Sequence, residues 1–294
     1  MSHIISLFSN VRTQQWMLSV VLYSGTRKIS VTLAAVDQIQ SEPCSSFHRV
    51  NSIYTVKLQL VWYTSAMDKN QKRIIVYGGN GFVGTHVAEQ LIAQGGSVTC
   101  ASRSGQRPAH LANTAWADNV QWIKGDAGNP EPGLLSDFEV MISTIGSPPL
   151  PTFSQSAYNK QLLINGTCNV NAIERAGESG IKRLVLVGAK MPKILQRDGF
   201  AYAKGKRIAL EAAQTFSSLS DEHRAIVIQP GAIFGTRYTP SGTKIPLGLI
   251  MGPLSKVLGS QLVAVEKLAK RIVDSSLSPS SNLSAFELIK HAQI

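Results

Sequence analysis

The sequence predicts an α/β chain, a doubly wound parallel sheet with a small C-terminal subdomain. Three observations predict it. Strand and helix signals alternate from Arg73 onward, which argues for a parallel sheet covered on both faces. The strands read as short unbroken apolar runs, the mark of parallel strands buried on both sides. The first of them ends in three glycines spaced by threes and passes straight into a helical pattern.

Residues 1–66 stand apart from that alternation. Their only acids are Asp37 and Glu42, while Arg12, Arg27, Lys28, Arg49 and Lys57 are spread among serines and threonines. A basic, hydroxyl-rich and acid-poor composition is that of a transit peptide. Met67-Asp68-Lys69-Asn70-Gln71-Lys72-Arg73 reads equally as the opening of a protein, which would make residues 1–66 an upstream extension. On either reading the fold is expected to exclude them. Residues 16–23 are apolar but too short to span a bilayer, and no run of about eighteen apolar residues occurs.

The first strand is expected at 74–77, within Arg73-Ile74-Ile75-Val76-Tyr77-Gly78-Gly79-Asn80-Gly81-Phe82-Val83-Gly84. After the glycines Val83, Val87 and Leu91 recur every fourth residue, with Ala88 and Ile92 beside them, as on one face of an amphipathic helix. Strand, glycine turn and helix N-terminus together make an anion site, because backbone N–H groups and the helix dipole point at a phosphate. Gly78 permits the tight turn, Gly81 lets the backbone approach a pyrophosphate, and Gly84 lets the helix pack closely on the strand. Phe82 and Val83 supply the first amides of the helix. A Rossmann-type sheet that binds a dinucleotide is therefore expected over residues 67–235, with a small substrate or partner segment over 236–294.

Further strands are expected at 97–101, 120–123, 138–145, 183–187 and 224–229, with helices over 156–179 and 202–216. After residue 235 the signals thin. Leu254, Val257 and Leu258 share one helical spacing, and Val263, Leu268 and Ile272 another. Left exposed, such stripes would suit a prenyl-quinone tail, a membrane surface or a protein partner.

Composition narrows the partners. The formal charge is +11, spread over several elements with only short pairs such as Lys182-Arg183 and Lys206-Arg207. No aromatic-interleaved basic stripe accompanies it, which argues against nucleic acid. An anionic ligand or membrane surface, or a matrix-type compartment, explains the sign better. Cys44, Cys100 and Cys168 are far apart and lack metal-ligand spacing, so no metal is expected and the thiols read as reduced.

Four stretches in order resemble the extended and atypical short-chain dehydrogenase/reductase superfamily. They are the glycine motif, Ile164-Asn165-Gly166-Thr167-Cys168-Asn169-Val170, Tyr202-Ala203-Lys204-Gly205-Lys206, and Gln229-Pro230-Gly231-Ala232-Ile233-Phe234-Gly235. Ser102-Arg103-Ser104-Gly105, Ser143-Thr144-Ile145-Gly146 and Lys244-Ile245-Pro246-Leu247 resemble one branch of it. That branch holds a dehydrogenase-like accessory subunit of respiratory complex I, a fungal accessory protein of coenzyme Q biosynthesis and plastid proteins of plants. The resemblance implies a mitochondrial protein, with a plastid as the alternative.

The end of the second strand bears on the cofactor. An acid there would hold the ribose hydroxyls of NAD and repel a 2′-phosphate. Ser102, Arg103 and Ser104 stand there instead, a guanidinium and two hydroxyls suited to phosphate, so NADP is expected ahead of NAD. Asp126 resembles the family's acid near the adenine and reads equally as a turn-forming Asp after Gly125.

Tyr202 and Lys206 lie four apart on one helix and face the same way. By resemblance they are the catalytic pair: the lysine lowers the tyrosine's pKa and holds the nicotinamide ribose, and the tyrosine transfers a proton. The superfamily's serine is missing, for Val187-Gly188-Ala189-Lys190 occupies its place with no hydroxyl. Loss of one oriented donor lowers rates roughly a hundredfold to a thousandfold. Two functions follow. One is a nucleotide-binding accessory factor of respiratory complex I or of quinone biosynthesis. The other is an active NADP-dependent reductase or isomerase-like enzyme on a hydrophobic carbonyl compound.

Overall fold

The computed structural model describes residues 4–10, 15–24, 27–35, 72–191, 196–239, 242–246 and 262–294. The chain divides into two units, Met1–Leu60 and Val61–Ile294. In the first, β1 (Ile4–Asn10), β2 (Gln15–Ser24) and β3 (Arg27–Ala35) form an antiparallel sheet in that order. Its register aligns Leu7, Leu18 and Leu33 in one row and Ser6, Ser19 and Thr32 in the next. The sequence reading assigned no strands to this stretch.

The second unit is built on seven parallel strands. In chain order they are β4 (Arg73–Tyr77), β5 (Ser97–Ser102), β6 (Gln121–Lys124), β7 (Val140–Ser143), β8 (Arg183–Val187), β9 (Arg224–Gln229) and a C-terminal strand, Phe286–Lys290. Between β9 and that strand lie four short ones, β10 (Ala232–Phe234), β11 (Thr236–Tyr238), β12 (Lys244–Pro246) and β13 (Leu262–Ala264), so the C-terminal strand is β14. The order across the sheet is β14-β9-β8-β7-β4-β5-β6. The chain winds outward from β4 in both directions, which puts the topological switch point between β4 and β7.

Alternation along each strand sorts the core into two layers. Ile74, Val76, Val140, Ile142, Val185 and Ile226 point to one face. There Val87 and Leu91 of α1 (Phe82–Ala93) meet Leu268 and Ile272 of α5 (Val265–Leu277). Ile75, Tyr77, Met141, Leu184, Leu186 and Val227 point to the other. They pack against Ala172 and Ile173 of α3 (Cys168–Glu178) and Ala209, Ala213 and Phe216 of α4 (Ala201–Ser217). Each large aliphatic side chain so buried contributes about 1.5–3 kcal/mol.

Three features depart from the sequence expectation. The helix expected over 156–179 is broken into α2 (Gln155–Leu162), a π-helical turn (Leu163–Thr167) and α3. Side-chain amides compete with the ladder there: Asn165 Nδ2 donates to the Gln161 carbonyl at 3.0 Å and Asn169 Nδ2 to that of Asn165 at 3.2 Å. The fourth strand is shorter than 138–145, because Phe138 closes a turn onto Leu135 and Thr144 folds over the end of β4. The sheet also draws its seventh strand from beyond residue 235, since β14 pairs in parallel with β9 from Phe286–Ala225 to Lys290–Gln229. Leu268 and Ile272 enter this core from α5, and Val263 enters it from β13, which pairs with β10. Leu247, Leu254, Val257 and Leu258 fall outside the described residues.

Candidate dinucleotide site

The site is laid out where β4, β5, β7 and β8 end. Leaving β4, Gly78 adopts φ +79°, its amide donates to the Ala101 carbonyl at 3.0 Å, and its carbonyl accepts from Gly81 at 2.9 Å. That turn aims the chain into α1, whose N-cap is Gly81 in an extended conformation. The amides of Phe82, Val83 and Gly84 head the helix with no carbonyl inside it to bond. No acid stands in that first turn, so the dipole is left for an anion.

The cradle is closed to side chains. A Cβ on Gly84 would overlap the Gly78 carbonyl oxygen and come within 2.8 Å of the Gly79 Cα. One on Gly79 would overlap Cys100, and one on Gly78 would lie 2.9 Å from Thr144 Oγ1. Thr144 Oγ1 donates to the Tyr77 carbonyl at 3.0 Å, fastening the loop after β7 to the glycine turn. Backbone amides at a helix N-terminus, in a turn without side chains, fit a pyrophosphate.

At the end of β5, Ser102 is buried and Ser104 exposed, their hydroxyls 3.4 Å apart. Asn80 of the glycine turn donates to Ser104 Oγ at 3.4 Å, so the two loops form one rim. Arg103 is exposed and makes no hydrogen bond or ion pair among the described residues. Across from it, burial pushes the Cys168 thiol up, Asp126 adds to that and Arg103 opposes it, which groups these three side chains. Asp126 Oδ1 accepts the Gly128 amide at 2.9 Å, so its turn-forming role is present in the fold. Cys100 is buried under the glycine turn, and burial pushes its thiol to about 12.

Tyr202 and Lys206 occupy the first turns of α4. What puts them over the sheet is a crossing of backbones: Gly205 packs on the π-turn so closely that a Cβ there would sit 3.0 Å from the Asn165 carbonyl carbon. Lys206 Nζ donates to the Val187 carbonyl at 2.8 Å and the Ile145 carbonyl at 3.2 Å, the exits of β8 and β7. An ammonium has three donors, so one remains. Burial lowers the Lys206 pKa to about 8 and raises that of Tyr202 to about 12. The resemblance implied a tyrosine lowered by its lysine. Here desolvation governs the phenol, and the lysine's charge is spent on two carbonyls.

Asn165, within the Ile164–Val170 motif, has a role at this rim that its place in the sequence does not declare. Its Oδ1 accepts the Ser147 amide at 3.0 Å and its Nδ2 donates to Ser147 Oγ at 2.7 Å, which shapes the loop beside Lys206. The part Thr144 plays is likewise visible only in the fold. The signal for both was a short polar side chain directly after, or facing, a buried strand. After β8, the Gly188 amide bonds the Ile228 carbonyl and the Lys190 amide that of Pro230, so backbone bonds hold the start of the loop. Ala189 presents a methyl group where a hydroxyl was missed.

Comparison with known proteins agrees with this geometry. Residues 78–219 match the family model described as NAD(P)H-binding. That stretch is thus similar to NAD(P)H-binding domains. An uncharacterized chloroplastic protein of Arabidopsis thaliana is 34% identical over 198 residues, 66% of this chain and 61% of that one. MIOREX complex component 2 of Saccharomyces cerevisiae is 36% identical over 78 residues, 25% of this chain and 28% of that protein. The chain thus spans less than two thirds of either relative. A short-chain dehydrogenase/reductase from Serratia marcescens superposes with a TM-score of 0.56 at 16% identity, covering 76% of this chain and 98% of that one. Residues 73–290 therefore have the short-chain dehydrogenase/reductase fold. Among the described residues no His, Cys, Asp and Glu group suits a metal, and no helix is long and apolar enough to cross a membrane.

Proposed function

We propose that the protein is an NADP(H)-binding accessory or regulatory factor, built on a short-chain dehydrogenase scaffold and weak in chemistry. The observation that carries this reading is the loop after β8. Beside a complete phosphate cradle and a tethered Lys206, Gly188 and Ala189 offer no side-chain donor to a substrate oxygen. In this reading Gly78, Gly81, Phe82, Val83 and Gly84 hold the pyrophosphate, and Ser102, Arg103 and Ser104 hold the 2′-phosphate. Asp126 borders the adenine, and the spare donor of Lys206 meets the nicotinamide ribose. When bound, the nicotinamide would supply hydride transfer. Tyr202, protonated up to about pH 12, donates a hydrogen bond and is a poor base.

The yeast relative is named as a component of a complex, which supports an accessory role. Respiratory complex I and the quinone-biosynthesis machinery are the assemblies we assign, in the mitochondrion, with the plastid as the alternative given the chloroplastic relative. Residues 1–66 we assign as a leader or upstream extension. One observation favours the second reading, an active NADP-dependent reductase or isomerase-like enzyme: Tyr202 and Lys206 are both retained on the first turns of α4.

The deciding measurement is NADPH oxidation by purified protein with quinones and ketones. Turnover is expected well below about 1 s⁻¹, the low end of ordinary enzymes. Ala189→Ser should raise whatever trace is seen, and Tyr202→Phe should leave cofactor affinity unchanged. Faster turnover that Tyr202→Phe abolishes would put the reductase reading first.

A further inference from the structure

The opposite rim of the sheet carries a group the dinucleotide site does not use. Arg183, at the start of β8, is 3% exposed, and among the described residues no carboxylate pairs with it. Its Nη1 donates to the carbonyls of Ser276, at 2.7 Å, and Ser278, and its Nη2 donates to Ser280 Oγ at 2.8 Å. Lys72 Nζ reaches the same Ser278 carbonyl at 3.3 Å and that of Leu277 at 3.4 Å. The two cations meet at the C-terminus of α5, whose dipole is worth only about half a negative charge against their two positive ones. Arg224 adds a further positive charge close enough to disfavour the Arg183 cation. Buried charges are ordinarily paired; among the described residues the carboxylate of Glu139 bears on Lys72, and none bears on Arg183.

Ser280 lies directly against this buried cation. It is exposed, so an enzyme can reach it, yet its hydroxyl already rests on the buried guanidinium. Ser281 beside it turns to Asn282 instead. We propose that Ser280 is a phosphorylation site and that Arg183, with Lys72, receives its phosphoryl group. A protein kinase would transfer the γ-phosphoryl of a nucleoside triphosphate. The Ser280 Oγ–P bond forms as the bond to the bridging oxygen breaks, the diphosphate leaves, and the hydroxyl proton passes to the kinase's base. The product places a charge of about −1.5 to −2 and three acceptor oxygens on a guanidinium with donors to spare. The connector from α5 into the edge strand β14 is thereby fixed by charge-assisted bonds.

The test is the full chain carrying phosphoserine at 280, prepared by genetic incorporation. Phosphorus NMR should give a second phosphate pKa at least one unit below that of a phosphoserine peptide of the same local sequence, which titrates near about 6. The melting temperature should rise by several degrees. Lys72→Met, which spares the buried arginine, should shrink both effects. Phosphoserine at 281 should show neither. A pKa equal to the peptide's, or equal effects from position 281, would overturn the proposal. So would inorganic phosphate that stabilises the unmodified chain as much, since a free anion and not Ser280 would then be the source.

Discussion

Lys206 and Tyr202 are displaced in opposite directions by one cause, loss of water, and the displacement has a pH signature. Folded Lys206 titrates near 8, whereas the unfolded residue titrates at its ordinary 10.5. Below about 8 the ammonium is charged in both states and its burial penalty is present in full. Between these values the unfolded chain binds the extra proton, so stability rises with pH. Tyr202 acts oppositely, but only between 10 and about 12, where its own pKa values lie. From about pH 7.5 to 9.5 the wild type should therefore gain about 2 kcal/mol over Lys206→Met in chemical denaturation. Parallel curves would mean that the Val187 and Ile145 carbonyls keep the ammonium fully charged. Arg103 makes a second prediction at this scale. Bound to a 2′-phosphate, it should matter to one cofactor only, so Arg103→Ala should weaken NADPH by about 1.5–3 kcal/mol and NADH little by calorimetry. Equal losses would reduce it to an adenine contact.

At the scale of elements, close approach decides more than propensity. Gly84 sits where α1 meets the turn after β4, and a methyl group there meets backbone oxygen that cannot swing aside. Gly84→Ala should cost about 1–3 kcal/mol of stability, read from the denaturation midpoint, and weaken either dinucleotide. Gly95→Ala, at the far end of α1, meets no atom within 4 Å and bears only its φ of +77°. It should leave dinucleotide affinity alone, and a loss there as large as at Gly84 would mean that helix position, not the cradle, sets binding. Gly84 was legible in the sequence because strand, glycine spacing and helical periodicity agree on it. Gly166 and Gly205 were not, although they cross to place Lys206, because their contact joins residues distant along the chain. For the same reason β14 was missed: Phe286, Leu288 and Ile289 make a short, half-covered edge strand without a flanking glycine motif. The π-turn escaped notice because Asn165 and Asn169 satisfy local carbonyls, which periodicity does not register.

At the scale of the whole chain, the question is which residues the dinucleotide domain needs. All seven strands of its sheet come from residues 73–290, and the two described core layers start at Ile74 and Ile75. The glycine turn, the Ser102–Ser104 rim and the Tyr202–Lys206 pair all lie inside that span, held by contacts within it. Strands β1, β2 and β3 are hydrogen-bonded to one another. Stability of a single domain follows its own core, so deleting residues 1–66 should leave the melting temperature and NADP(H) affinity unchanged within error. The deletion keeps Lys72, whose side chain caps α5. A cut at 72 would remove that cation along with the leader and lose stability for a different reason. Running both truncations separates the two causes. If the cut at 66 alone lowers the melting temperature by several degrees or weakens NADPH severalfold, the first sixty-six residues belong to the working protein, and the leader assignment falls.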